Sequence, residues 1–213
     1  MKPLQDFRKE YTKGKLDTEA LTDNPMDLFQ QWLQDAIDAE LPDPNAMTVA
    51  TVDRNGQPSQ RIVLLKDVGE KGFVFYTNLG SRKAKDLSHN NSISLHFPWY
   101  FLERQVRVCG TAELLSRDTV AKYFFSRPKD SQLGAWASKQ STPISTREAL
   151  VSQFTQMKEK YANSDIPLPD FWGGYLVKPQ QIEFWQGGEH RLHDRFEYNR
   201  TDGNNWSTTR LMP

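Results

Sequence analysis

Along the first half of the chain the apolar positions change period once, and the change separates a helical entry from a run of strands. Residues 1–20 are polar, with Arg8-Lys9-Glu10-Tyr11 followed by Thr12-Lys13-Gly14, the composition of a frayed terminus. Asp23-Asn24-Pro25 reads as a helix start with proline at an early helical position. Leu28, Phe29, Trp32, Leu33, Ala36 and Ile37 then form an apolar stripe at helical spacing, which stops before Leu41-Pro42-Asp43-Pro44. From Ala46 the period becomes two. Residues 47–52 read as a strand, Asp53-Arg54-Asn55-Gly56 as a hairpin turn and 58–66 as the returning strand. Lys71-Gly72 turns the chain into a strand over 73–77, and Ser81 stands at the N-cap of a short helix ending near Asn90. Two further strands span 92–98 and 103–115. Helical patterns follow at 117–126, at 131–138 beyond an Arg127-Pro128 break, and at 146–162, where Leu150, Phe154, Met157 and Tyr161 mark an apolar side. After Pro167-Leu168-Pro169 come strands at 172–177, 181–185, 195–200 and 206–211. Strands in close succession with short turns predict an α+β chain of one domain, an antiparallel barrel with helices packed around it.

Composition narrows the function classes. Lys+Arg 27 offset Asp+Glu 27, which disfavours a nonspecific nucleic-acid or membrane-surface binder, since either needs a basic excess. The single cysteine, Cys109, excludes an internal disulfide and a multi-cysteine zinc site, and it reads as a small core residue in an alternating run. No metal is expected. No apolar run reaches membrane-span length and the N-terminus lacks a signal-peptide core, so the expected address is cytoplasmic. The many aromatics suit a planar ligand and a barrel core equally.

Local clusters of charge say more. In residues 182–196 (IEFWQGGEHRLHDRF), Gly187-Gly188 is followed by six charged or imidazole side chains interrupted only by Leu192. A solvated turn is the bland alternative, yet Phe184, Trp185 and Phe196 on either side belong in a core. If the chain is extended here, alternation puts Arg191, His193 and Arg195 on one side, and two guanidiniums beside an imidazole call for an anion. At Tyr76-Thr77-Asn78-Leu79-Gly80-Ser81-Arg82-Lys83 a strand ends in polar donors and a helix starts with two cations, against its dipole. A bound phosphate reverses that penalty; water screening is the competing account. Walker spacing is missing, so an ordinary P-loop is out. Tyr123, Arg127 and Ser131 recur every four residues around Pro128, a second phosphate seat or an ordinary helix corner. Arg61 to Lys66 is a strand with charged ends, and Ser138-Lys139-Gln140-Ser141 a polar break. No Ser/His/Asp, His-Glu-x-x-His or cysteine apparatus appears, which points to cofactor chemistry on two phosphorylated rings.

Together the runs 61–66, 75–83, 102–106, 126–132, 171–174 and above all 183–196 closely resemble the pyridoxamine 5′-phosphate oxidase family, over nearly the whole chain. The resemblance implies an FMN-binding split β-barrel working as a homodimer, with FMN in clefts between subunits. It implies FMN contacts from Arg61, Ile62, Val63, Leu64, Leu65, Lys66, Tyr76, Thr77, Arg82, Lys83 and Gln105, with Gln140, Ser141, Trp185 and Arg195 completing the pocket. The substrate phosphate ester would be held by Arg8, Lys9, Glu10, Tyr11, Lys66, Tyr123, Arg127, Ser131, Arg191, Leu192 and His193. Residues 1–20 then become an active-site lid rather than a frayed tail. The implied reaction is oxidation of pyridoxamine or pyridoxine 5′-phosphate to pyridoxal 5′-phosphate, with O2 reduced to H2O2, and with Arg191 and His193 as the catalytic pair. Two rivals stay open: a flavoprotein that carries its ligand without turnover, and a barrel that binds single-stranded nucleic acid through aromatics and cations.

Overall fold

A computed structural model describes residues 3–7, 9–202 and 204–213. Asn24 opens helix α1 (Pro25–Asp38): its side chain accepts the Met26 amide at 3.1 Å, and Pro25 occupies a first-turn position that needs no N–H. Leu28, Phe29, Trp32 and Ala36 are buried, whereas Ile37 is 47% exposed. At helical spacing Ile37 lies about 125° round from the middle of that buried face, so the stripe is narrower than predicted.

Nine antiparallel strands make up the sheet among the described residues: β1 (Ala46–Val52), β2 (Pro58–Leu64), β3 (Asp67–Gly69), β4 (Gly72–Asn78), β5 (Ser92–Trp99), β6 (Arg104–Leu114), β7 (Trp172–Gln186), β8 (Asp194–Arg200) and β9 (Trp206–Arg210). The order is β2-β1-β5-β6-β7-β4-β3, with β8 on β7 and β9 on β8. Helix α2 (Arg82–His89) links β4 to β5, and α3 (Arg117–Ser126), α4 (Lys129–Ala137) and α5 (Arg147–Lys160) lie between β6 and β7. The β1–β2 turn is fixed by Asp53, whose carboxylate accepts the Asn55 and Gln57 amides at 2.8 and 3.0 Å, and by Gly56 at φ +81°.

Strand β7 organises the rest. One edge pairs with β6 along nearly its full length, from Arg104↔Gln186 to Leu114↔Tyr175. Its other edge serves two partners in turn, β4 up to Val177 and β8 from Gln181. Pro179, which has no N–H to donate, falls in the gap between those partners. The strands predicted at 172–177 and 181–185 are therefore one strand that changes neighbour: proline punctuates the pairing and not the chain. Opposite, β6 shifts register between Cys109 and Gly110, where an added Cβ on Gly110 would stand 2.1 Å from the Lys178 carbonyl oxygen.

Two apolar clusters result. Phe29 of α1 meets Phe73 and Phe97 edge-on, each at 4.8 Å, and Trp32 meets Phe184 at 5.2 Å, which closes the barrel. Val120, Phe124, Leu133, Ile166 and Trp172 form the second under α3 and α4. Helix α5 gives that cluster partly buried Phe154 and Met157, and Tyr161 just past its end adds a third, while Leu150 of the predicted apolar side stays 40% exposed. The chain is α+β, an antiparallel split barrel with surrounding helices. Among the described residues no helix is long and apolar enough to cross a membrane.

Candidate active site

A cleft of about 520 Å³ opens where β2, the end of β4, the α3–α4 corner and the 138–141 loop meet. Residues Ile62, Val63, Leu64 and Lys66 line one side, Tyr76, Thr77 and Lys83 its floor, and Tyr123, Arg127, Ser131 and Gln140 the other side. Lys83 is the electrostatic centre. Its ammonium is buried, donates to Thr77 Oγ1 at 2.8 Å and Gln140 Oε1 at 3.1 Å, and has no carboxylate among those partners. Burial first, and Arg61 second, push its pKa down to about 8. Arg61 is lowered as well by burial, opposed by Asp86 and reinforced by Arg82. It stands behind the cleft wall, donating to Val49 O at 3.2 Å, Thr51 Oγ1 at 2.7 Å and Ser59 Oγ at 2.6 Å.

Ser81 occupies the N-cap position of α2 but its side chain makes no capping bond; Oγ is buried without a hydrogen-bond partner among the described residues. A buried ammonium beside an unpaired hydroxyl at a helix N-terminus suits a phosphate. Across the cleft Tyr123, Arg127 and Ser131 do converge although the helix breaks between them: α3 ends at Ser126 and α4 begins at Lys129. The Arg127 guanidinium lies 4.8 Å over the Trp172 ring with Nη1 buried and without a hydrogen-bond partner among the described residues, and burial lowers its pKa. Tyr76 stacks on Tyr123 at 3.9 Å and on Trp172 at 5.4 Å; burial, then Tyr123 and Asp67, raise the Tyr76 phenol. These unsatisfied groups fit two phosphorylated aromatic ligands.

A second group of predicted residues gathers elsewhere. Gln105, Trp185 and Arg195 are direct cross-strand partners on β6, β7 and β8, so their side chains share a face. Trp185 stands 4.6 Å from His193, and Tyr11 meets both rings edge-on at 5.7 and 5.5 Å. Lys9, Glu10, Tyr11, Arg191 and His193 line a cavity of about 410 Å³. The expected one-sided row of Arg191, His193 and Arg195 does not form. Residues Glu189–Arg191 make a tight 3-10 turn with His190 and Arg191 at positive φ (53° and 63°), and only from Asp194 is the chain a strand. Leu192 is exposed. His193 Nδ1 accepts the Gly188 amide at 3.1 Å, so the neutral imidazole carries its proton on Nε2 and offers a donor. Arg195 gives Nε to Glu183 at 2.9 Å and Nη1 to the Met212 carbonyl at 2.7 Å.

The two groups sit near opposite ends of β7, Trp172 at one and Trp185 at the other, roughly 40 Å apart along an extended strand. Leu65 packs in the barrel core, Arg82 and Ser141 are exposed beside the first cleft, and Arg8 lies outside the described residues. Sequence reasoning missed Trp172 as a lining residue. Its signal was the following Gly173-Gly174 pair: a Cβ there would meet Leu79 at 2.8 Å or Tyr76 at 2.7 Å, so both glycines let the Trp172 end of β7 close on the cleft.

Residues 33–161 match the family model described as pyridoxamine 5′-phosphate oxidase, and residues 172–213 the pyridoxine 5′-phosphate oxidase C-terminal dimerisation region. The chain is 65% identical to a pyridoxine/pyridoxamine 5′-phosphate oxidase of Alteromonas mediterranea, covering 99% of each, and 62% identical to one of Shewanella frigidimarina, covering 100% of each. PhzG of Burkholderia lata, solved with tetrahydrophenazine-1-carboxylic acid, superposes at TM-score 0.87 with 30% identity, covering 93% of this chain and 98% of that one. A pyridoxamine 5′-phosphate oxidase-related, FMN binding protein of Nostoc punctiforme shares the fold at TM-score 0.73 and 17% identity, covering 91% and 100%.

Proposed function

The chain belongs to the pyridoxamine 5′-phosphate oxidase family, and from that premise we propose that its two groups of residues are complementary halves of one FMN site, completed by a second copy of the chain. The enzyme oxidises pyridoxamine and pyridoxine 5′-phosphate to pyridoxal 5′-phosphate with FMN as cofactor, as a homodimer. One observation carries the site assignment: among the described residues buried Lys83 has no carboxylate partner, and the neighbouring Ser81 hydroxyl has no hydrogen-bond partner.

FMN, when bound, supplies a two-electron acceptor for the hydride leaving the substrate C4′, and in our reading O2 then takes that pair as H2O2. For the amine the balance is substrate, O2 and water giving aldehyde, ammonia and H2O2; for the alcohol, substrate and O2 giving aldehyde and H2O2. Lys83, Arg61, Arg82 and Ser81 hold the cofactor phosphate. Ile62, Val63, Leu64, Lys66, Tyr76, Thr77, Gln140 and Ser141 border the rest of the FMN from the first chain, and Gln105, Trp185 and Arg195 from the second. Tyr123, Arg127, Ser131 and Lys66 seat the substrate phosphate on the first chain. Arg191 and His193 of the second copy press the substrate ring into place, with Leu192 and the segment from Arg8 to Tyr11 closing over it. His193 donates from Nε2 and so steadies the substrate oxygen or nitrogen rather than removing a proton; positioning carries much of the rate. The chain acts as a single domain in the cytoplasm, a reading supported by one continuous sheet and a lone cysteine.

Arg82→Ala and Arg191→Ala divide the roles. The first is expected to weaken FMN retention. The second should keep the flavin absorbance and lower kcat/KM by about a hundredfold or more, measured as H2O2 release. Equal flavin loss in both would contradict the division. A yellow wild-type protein that forms no H2O2 would favour the carrier rival.

A further inference from the structure

A buried carboxylate outside both halves of the site is tied to the N-terminal segment. Glu103 closes the turn between β5 and β6 in the left-handed region (φ 53°) and is only 2% exposed. One carboxylate oxygen pairs with Lys9 Nζ at 2.7 Å, and the other accepts the Thr12 and Lys13 amides at 2.8 and 3.0 Å. Its own carbonyl accepts the Gly187 amide at 2.7 Å and Gln186 Nε2 at 3.2 Å. Three segments therefore meet at Glu103: the strap at residues 9–13, the β5–β6 corner, and the Gly187 turn that leads to Arg191 and His193.

Beyond Glu103 the strap is held by polar and ring contacts, among them Lys13 Nζ donating to the Phe101 carbonyl at 2.7 Å. No described residue from Pro3 to Lys15 is buried, so apolar burial does not fix its course. Tyr11 nevertheless lies against Trp185, His193 and Gly187, where a Cβ on Gly187 would stand 2.8 Å from the Tyr11 side chain. Glu10 accepts the His190 amide at 3.2 Å. Burial would by itself raise the Glu103 carboxyl; Lys9 and the Lys13 and Thr12 amides outweigh it and hold the group below its usual range, keeping it charged.

We propose that Glu103 is a positioning residue: it grips the N-terminal strap through one ammonium and two amides and so sets Tyr11 and Glu10 against the Arg191–His193 turn. The assignment rests on reading that turn as the substrate-facing half of the site. Substrate then meets a pre-formed wall, and loosening the grip adds an ordering cost to substrate binding without touching FMN.

Glu103→Gln removes the charge at nearly constant shape. In the FMN-loaded enzyme it is expected to raise KM for pyridoxamine 5′-phosphate about tenfold, to change kcat by less than about threefold, and to retain flavin. Trypsin should cut after Lys9 and Lys13 several times faster than in the wild type, a change that a mere packing defect elsewhere would not localise there. Should Glu103→Gln lose its flavin, Thr12→Pro, which deletes one amide donor at an exposed residue, is read by the same two criteria. Unaltered KM and unaltered tryptic rates overturn the proposal. Arg191→Ala measured alongside separates the failures: wild-type turnover there sinks the underlying half-site reading, while impaired turnover there with an indifferent Glu103→Gln sinks the strap assignment alone.

Discussion

Lys83 makes the sharpest residue-scale prediction. With its pKa down to about 8, it is neutral in the empty cleft above that pH, and a phosphate placed beside it restores the charge. FMN binding then takes up a proton, so affinity should fall as pH rises above about 8, by up to about tenfold per unit. Lys83→Met should flatten that dependence and weaken binding near neutral pH by about ten- to a hundredfold. Flavin fluorescence titrations between about pH 7 and pH 9.5 check both; affinity that rises with pH would place the phosphate elsewhere. By the same linkage Lys83 adds stability to the apoprotein as pH rises from about 8 toward 10.5, because there the unfolded chain holds the extra proton. Much of this was legible in sequence, since cations in a helix first turn beside a glycine already asked for an anion. The arrangement around Arg191 was not. Alternation presumes extended backbone, and positive φ at His190 and Arg191 breaks it, a conformation that the side chains themselves do not announce.

At the scale of elements, helix α1 plugs one end of the barrel with an aromatic ring that touches two strands. Phe29 is fully buried between Phe73 and Phe97, so Phe29→Ala should cost about 3–5 kcal/mol and lower Tm by roughly 10 °C. Thermal melts followed by near-UV circular dichroism test this, and a shift within a degree or two would mean that the plug is dispensable. The helix start at Asn24 and the Asn55-Gly56 hairpin could be read from local chemistry, because each is decided within a few residues. The continuity of β7 could not. Its course past Pro179 depends on which strand lies alongside, and that is settled by residues as distant as Val177's partner Phe73 and Gln181's partner Asn199. Register has the same origin: nothing near Gln105, Trp185 or Arg195 in sequence says that they stand side by side.

For the whole molecule, the decisive feature is that the two groups of residues proposed to form one site lie at opposite ends of β7. The cleft at Trp172 holds the proposed phosphate seats and stacked rings, and the cavity near Trp185 holds Arg191, His193 and the strap. Zero net charge hides this, since the cations are gathered locally and balanced elsewhere. Ile62, 75% exposed on β2 beside the first cleft, is an apolar side chain that a second copy would cover. The central claim is that each working site takes one half from each chain. Co-expression of two differently tagged variants, Arg127→Ala and Arg191→Ala, tests it most directly. Each alone should be nearly inactive, yet half of randomly mixed dimers would pair one chain of each kind and regain one intact site of two. Roughly a quarter of wild-type H2O2 production is therefore expected from the mixture, and all of it in dimers carrying both tags. Activity in the mixture no higher than in the separate variants would contradict a site shared between chains.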